Sequence, residues 1–209
     1  MNDAIEALCR SITNIFEVDD PAGDYSYVED LDDGRGFTVT HYGFCENTGD
    51  LKKAIKLSGF GTTLRLSDDR DRFPERWKQT MAASASRAQL IAACDAVAEE
   101  LYWTPAIKAA TEDGLSANPF ACALYYDTLI QHGGGKDPDS FYAIRKQSNG
   151  DLAAFLDVRR RILMHATDPD TRVAWRESVD RVTAFDNLFM NQALKGDLRV
   201  SGKRLRGLP

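Results

Sequence analysis

Three successive helix-start signals constrain the second half of this chain more than any other feature. Thr104-Pro105, Asn118-Pro119 and Asp137-Pro138 each place a capping side chain ahead of a proline. Proline fits the first turn of a helix, where its missing N–H is not needed, and a Thr, Asn or Asp before it can accept from the unpaired amides. Asp113-Gly114 and His132-Gly133 supply stops. The punctuation predicts helices over residues 104–113, 118–132 and 137–146. Apolar residues at helical spacing predict others over 3–16, 84–102, 151–166 and 169–187, the last capped by Asp168. Against this helical background, residues 25–28 and 37–44 alternate like short strands, joined by a turn at Asp33-Gly34. Residues 51–83 are irregular over their first two dozen positions, with the charge run from Asp68 to Arg72, and are expected to connect two lobes of a single domain.

Size and charge narrow the classes further. A chain of 209 residues, 43% hydrophobic, can bury one sizeable core or a core divided between two lobes. No apolar run is long enough to span a bilayer, and MNDAIEALCR lacks the basic and apolar regions of a signal peptide. The net charge is −6, but five basic residues from Lys195 to Arg206 against Asp197 leave +4 on the tail, 195–209, and −10 on the rest. An acidic body disfavours nucleic acid and suits a cationic ligand. The tail is expected to pack against the body or fray, with no nucleic-acid role. No membrane association is expected, and nothing demands more than a monomer.

Cys9, Cys45, Cys94 and Cys122 are scattered in apolar contexts, and His41, His132 and His165 have no ligand spacing to them. They read as core thiols, with no metal and no cofactor implied. The Gly133-Gly134-Gly135 run follows no strand and precedes no Lys-Ser/Thr pair, so it is a loop after a helix and not a phosphate cradle.

Three charges fall on apolar faces. Asp127 has Leu124 and Ile130 three positions to either side. Arg159 shares contact spacing with Phe155, Leu156, Ile162 and Leu163, and Arg172 with Trp175 and Val179. A charge in such a place is costly unless paired, so Asp127 is expected to bridge to one or both arginines between helices. Read alone, that is a structural ion pair.

The residues that carry chemistry lie earlier. Glu17 closes the first helical pattern, and the negative end of a helix disfavours a carboxylate, which suits an acid that must carry a proton. Asp33 opens the DGRGFT turn. Hydrolysis of a glycosidic bond takes two such groups, an acid for the leaving oxygen and a base or nucleophile facing the sugar.

The segment Tyr-x7-Asp-x-Arg-Gly-x-Thr-x3-Tyr-Gly…Asp, running through Tyr25, Asp33, Arg35, Gly36, Thr38, Gly43 and Asp50, resembles the signature of the glycoside hydrolase family 46 chitosanases. YYDTLIQHGGGKDPDSFYAIRK, from Tyr125 to Lys146, resembles a second block of that family, with fainter echoes in LYWTPAI, FLDVRRRIL and DTRV. The resemblance implies an α+β, mainly α, two-lobed lysozyme-like fold with a small antiparallel sheet and a cleft between lobes. It implies an endo-acting, inverting enzyme that cuts β-1,4 bonds in chitosan, with Glu17 as general acid, Asp33 as general base and Thr38 holding the attacking water. It further implies that Arg35, Asp50 and Tyr27 grip glucosamine units and that Asp127, Arg159 and Arg172 form a charge network behind Glu17. Secretion follows from the family alone. The chain departs from the family in having Val18 after the acid, a short loop through Pro21 and Gly23, and a trimmed stretch after Leu51. Two other functions fit the same residues: cleavage of an N-acetylated glycan such as peptidoglycan, as a muramidase-like cell-wall toxin, and glycan binding without catalysis. Asp50 discriminates, since a carboxylate aimed at the sugar nitrogen suits an ammonium and not an acetamide.

Overall fold

A computed structural model of the chain describes residues 3–30, 36–67, 70–165 and 178–209. Helices dominate, and the chain divides into two compact units, residues 1–21 with 104–209, and residues 22–103.

The first unit is built around α6 (Pro119–His132). Ten consecutive residues of this helix, from Phe120 to Leu129, are buried. A helix apolar all round must sit in a core, and α1 (Asp3–Val18), α5 (Thr104–Glu112), α7 (Phe141–Ser148) and α9 (Val179–Phe189) all pack on it, while α8 (Leu152–Met164) packs on α7 and α9. Asn118 caps α6 as expected, its side chain accepting from the Ala121 amide at 3.2 Å, and Asp151 does the same for α8 through Ala154 at 2.9 Å. The basic tail forms a hairpin, β4 (Asp197–Val200) with β5 (Lys203–Arg206), which buries Leu198 and Val200. Lys203 pairs with Asp19 at 2.8 Å and Arg204 with Asp197 at 2.8 Å, so these two cations are neutralised within the fold.

The second unit holds β1 (Val28–Asp30), β2 (Phe37–Val39) and β3 (Phe44–Cys45) in one antiparallel sheet, with α2 (Asp50–Ser58), α3 (Phe73–Ala82) and α4 (Ser84–Ala98). Phe37, Val39 and Phe44 project from one face of the sheet into a core with Leu51, Phe73, Trp77, Leu90 and Val97. Because residues alternate across a strand and paired residues share a face, the register Glu29↔Thr38↔Cys45 puts these three on the opposite face.

Four details differ from the sequence expectation. Residues 51–83 carry α2 and α3, whose Leu51, Ile55, Phe73 and Trp77 belong to the core of the second unit, so they are not a bare connection. The stretch 37–44 is two strands, because Thr40 (φ 58°) and Gly43 (φ 68°) turn the chain between them, and β1 starts at Val28 where a strand was expected from Tyr25. Thr104 begins α5, as expected, but not as a free N-cap. The chain runs from α4 through a π-helical turn, Glu99–Trp103, into α5, and that widened turn accommodates a proline with no amide to give. Asp137-Pro138 leads into a turn, and Ser140 caps α7 instead, accepting from Ala143 at 3.4 Å. The helix expected over 169–187 and its cap at Asp168 lie partly outside the described residues; the described part is α9. Among the described residues no helix is long and apolar enough to cross a membrane.

Candidate active site

In the first unit the Glu17 carboxylate, at the C-terminal end of α1, is 27% exposed. Its Oε1 accepts from Arg181 Nη1 at 2.6 Å. The same guanidinium turns its other edge to Asp127, with Nη2 2.7 Å from Oδ1 and Nε 3.0 Å from Oδ2. Arg159 Nη2 reaches Asp127 Oδ2 at 2.6 Å, and Thr13 Oγ1 donates to Oδ1 at 3.1 Å. Asp127 and Arg159 are both fully buried. Burial works against a charged Asp127, but the Arg181 and Arg159 guanidiniums outweigh it and hold the carboxyl below the usual range. For Arg181 burial is likewise outweighed, by Asp127 and Glu17, which keep it firmly protonated. For Arg159 burial dominates and lowers its basicity, only partly offset by Asp127, and its Nη1 has no hydrogen-bond partner among the described residues.

Glu17 thus ends a line of alternating charge, Arg159–Asp127–Arg181–Glu17, carried on four helices and aimed outward. Its own Oε2 makes no hydrogen bond among the described residues. A pocket of about 430 Å³ opens over it, lined by Asp19, Ser178, Asp180, Arg181 and Ser201. A larger groove of about 590 Å³ in the second unit, around Lys52, Lys56, Leu64 and Arg65, is lined among the described residues by basic, apolar and hydroxyl side chains with no carboxylate.

The second unit presents the polar face of the sheet. Tyr27 donates to Glu29 Oε2 at 2.7 Å. Burial, then the Glu29 carboxylate, push the Tyr27 phenol up to about 12, so it stays a donor at working pH. Thr38 is buried beside Cys45. Asp50, first residue of α2, uses Oδ1 to accept from the Cys45 amide at 2.7 Å, Thr48 Oγ1 at 2.6 Å and the Leu51 amide at 2.8 Å. The sheet is tied to α4 by Asp95, which accepts from Tyr25 at 2.6 Å and Tyr42 at 2.7 Å. Gly36 follows from close approach: at φ 74° a Cβ there would sit 2.6 Å from Glu46 Oε2.

Asp33 and Arg35 lie outside the described residues, as does Arg172. The structure brings together Glu17, Asp127 and Arg159 from the expected set, and Thr38 and Tyr27 on one sheet face. It adds Arg181, which sequence reasoning missed. The signal existed: Arg181 has Phe185 four positions and Leu188 seven positions on, the same charge-on-an-apolar-face pattern as Arg159. Gln131, which accepts from Arg159 Nε at 3.2 Å, had no such signal.

The sequence profile described as glycosyl hydrolase family 46 matches residues 11–195. A chitosanase of Bacillus subtilis (strain 168) is 37% identical, the match covering 91% of this chain and 79% of the relative. A chitosanase of Streptomyces sp. (strain N174) is 33% identical over 82% of this chain and 70% of that protein. Among solved structures, the Gynuella sunshinyii GH46 chitosanase GsCsn46A in complex with chitotetraose superposes with a TM-score of 0.83 at 27% identity, covering 100% of this chain and 99% of that one. A Glu-to-Ala variant of the chitosanase from Bacillus subtilis MY002, complexed with six GlcN units, superposes with a TM-score of 0.80 at 32% identity, covering 98% and 96%. An α+β, mainly helical fold matched over its whole length to these enzymes defines a glycoside hydrolase. The chain belongs to glycosyl hydrolase family 46.

Proposed function

We propose that this chain is an endo-acting chitosanase that hydrolyses β-1,4 bonds between glucosamine units with inversion. Glu17 is the general acid, Asp33 the general base, and Thr38 holds the attacking water. The observation that carries the proposal is the charge line ending at Glu17. Arg181 grips one carboxylate oxygen at 2.6 Å and leaves the other free to carry a proton toward a leaving oxygen. When that proton has gone, the guanidinium already in place stabilises the carboxylate without reorganisation. Asp33 takes a proton from water as it attacks the anomeric carbon from the opposite face of the ring, and the product anomer is inverted. Relatives named as chitosanases, two of them in complex with amino-sugar oligomers or chitooligosaccharide, support the substrate class.

Tyr27, Arg35 and Asp50 are assigned to binding. Asp50 Oδ1 is committed to its turn, so its Oδ2 is the oxygen for a sugar ammonium. The net charge of −6 favours a polycationic substrate. We assign the chain to the outside of the cell, as a secreted monomer in one catalytic domain of two lobes.

The test is digestion of fully deacetylated chitosan beside peptidoglycan, with the anomeric proton of the first product followed by NMR and Glu17→Gln as control. Glucosamine oligomers of α configuration at first release are expected, with a loss of at least about 1,000-fold in the control. Muropeptides with inert chitosan, a β product, or an active Glu17→Gln enzyme overturns the corresponding part of the proposal.

A further inference from the structure

On the polar face of the sheet, Thr38 and Cys45 are paired across β2 and β3. Thr38 Oγ1 lies 3.4 Å from Cys45 Sγ, and Cys45 Sγ lies 3.2 Å from the carbonyl oxygen of Gly43. Cys45 is 3% exposed, so no bulk water competes for its thiol. A carbonyl only accepts, so the single thiol proton points at Gly43. The sulfur then faces Thr38 with lone pairs alone, and the proton of the Thr38 hydroxyl must point at the sulfur. The Thr38 hydroxyl makes no other hydrogen bond among the described residues.

A hydroxyl can orient a water in two opposite ways, as donor or as acceptor. With its proton spent on sulfur, Thr38 Oγ1 offers only lone pairs outward, so any water it holds must donate to it. One O–H of that water is then fixed on Thr38. The other is available to a base, and a lone pair stays free to attack carbon. The reverse polarity would occupy a lone pair of the nucleophile and blunt it. We propose that Cys45 is a positioning residue for the reaction: its thiol, turned by the Gly43 carbonyl, fixes Thr38 as the acceptor for the nucleophilic water. This rests on the reading of Thr38 given above.

Gly43 serves the same end. Its φ of 68° forms the turn between β2 and β3 that brings its carbonyl back over the cysteine two residues on. Cysteine suits the position because sulfur behaves as a small hydrophobe in the core yet can relay a weak hydrogen bond in each direction.

The test is steady-state kinetics on chitosan for Cys45→Ala, Cys45→Ser and Thr38→Val, with thermal melts alongside. Cys45→Ala is expected to lower kcat about tenfold, the value of one lost orienting hydrogen bond, with KM changed less than about twofold. Cys45→Ser keeps both a proton for Gly43 and lone pairs for Thr38, and is expected to restore kcat to within about threefold of the parent. A packing role predicts the opposite order, because alanine replaces a buried small hydrophobe better than a hydroxyl does. Equal loss in Ala and Ser variants, or no loss in Cys45→Ala while Thr38→Val is impaired, overturns the inference and leaves the role of Thr38 standing. Full kcat in Thr38→Val overturns that role itself and the inference with it.

Discussion

Removing the Asp127 carboxylate isolates the effect of the buried charge line on stability. In Asp127→Ala, Arg159 loses its 2.6 Å partner and keeps, among the described residues, the neutral Gln131, while Arg181 loses its bidentate edge and keeps Glu17. Two guanidiniums, one fully buried and the other 9% exposed, then sit side by side without the anion between them. Breaking a buried pair in this way costs about 3–5 kcal/mol, and here two cations share the loss, so the upper half of that range applies. For a chain of 209 residues each kcal/mol moves the melting temperature by about 2–4 °C, which gives a fall of about 8–20 °C.

The assay is differential scanning calorimetry of the parent and Asp127→Ala at pH 7, with Asp127→Leu/Arg159→Met as a third sample. The double variant removes both halves of one pair and fills the space with apolar atoms, so it should recover part of the loss, since well-packed hydrophobic replacements of buried pairs are often neutral. A melting temperature for Asp127→Ala within about 2 °C of the parent would refute the reasoning, because no relaxation short of exposing the helices could solvate Arg159.

Two other residues give sharp expectations. His132 donates from Nδ1 to the Asp139 carbonyl at 2.9 Å, and burial, reinforced by the nearby Arg159 charge, pushes its pKa down to about 3. The unfolded chain therefore binds a proton that the folded one refuses between about pH 6.5 and pH 3, and stability should fall by about 1.4 kcal/mol per pH unit as pH drops through that window. Urea unfolding at pH 7 and pH 4.5 should show a contribution of about 2.7 kcal/mol that disappears in His132→Gln; an equal pH slope in that variant sinks the assignment. Asp50→Asn keeps an acceptor for the turn but loses the charge, so KM for chitosan should rise about tenfold with the melting temperature unchanged, and an unchanged KM would remove Asp50 from substrate binding.

Legibility in the sequence followed the range of the interactions. Asn118 and Asp151 could be found as caps because a cap bonds to an amide three positions away, and local spacing is all that is needed. Thr104-Pro105 located the start of α5 but not the helical turn that precedes it, for the same local reason. The dipeptide reads as a start, and only the π-helical turn before it, held by packing, lets the proline continue a helix. Residues 51–74 looked irregular because α2 spans only Asp50–Ser58, two and a half turns, too short for its period to stand out from the loop after it. Cys45 looked like an ordinary core thiol, since its meaning depends on register with Thr38, seven residues back and on another strand.

Arg181 is the instructive case, because its partners lie 54 and 164 positions away and no window of sequence contains them. Its place also accounts for why so costly an arrangement exists at all. Asp127 between Arg159 and Arg181 leaves one positive charge over, and the Glu17 carboxylate balances it. Apolar side chains could fill the same space at no loss of stability. They could not hold Glu17 Oε1 at 2.6 Å, nor meet the charge that appears on it as a proton leaves. One guanidinium with two edges does both: the edge on Asp127 fixes where Arg181 stands, and the remaining nitrogen fixes where Glu17 stands. The position of the Glu17 carboxylate is therefore set by the core of the first unit, not by the exposed end of α1, where a lone glutamate side chain would be free to turn among its rotamers.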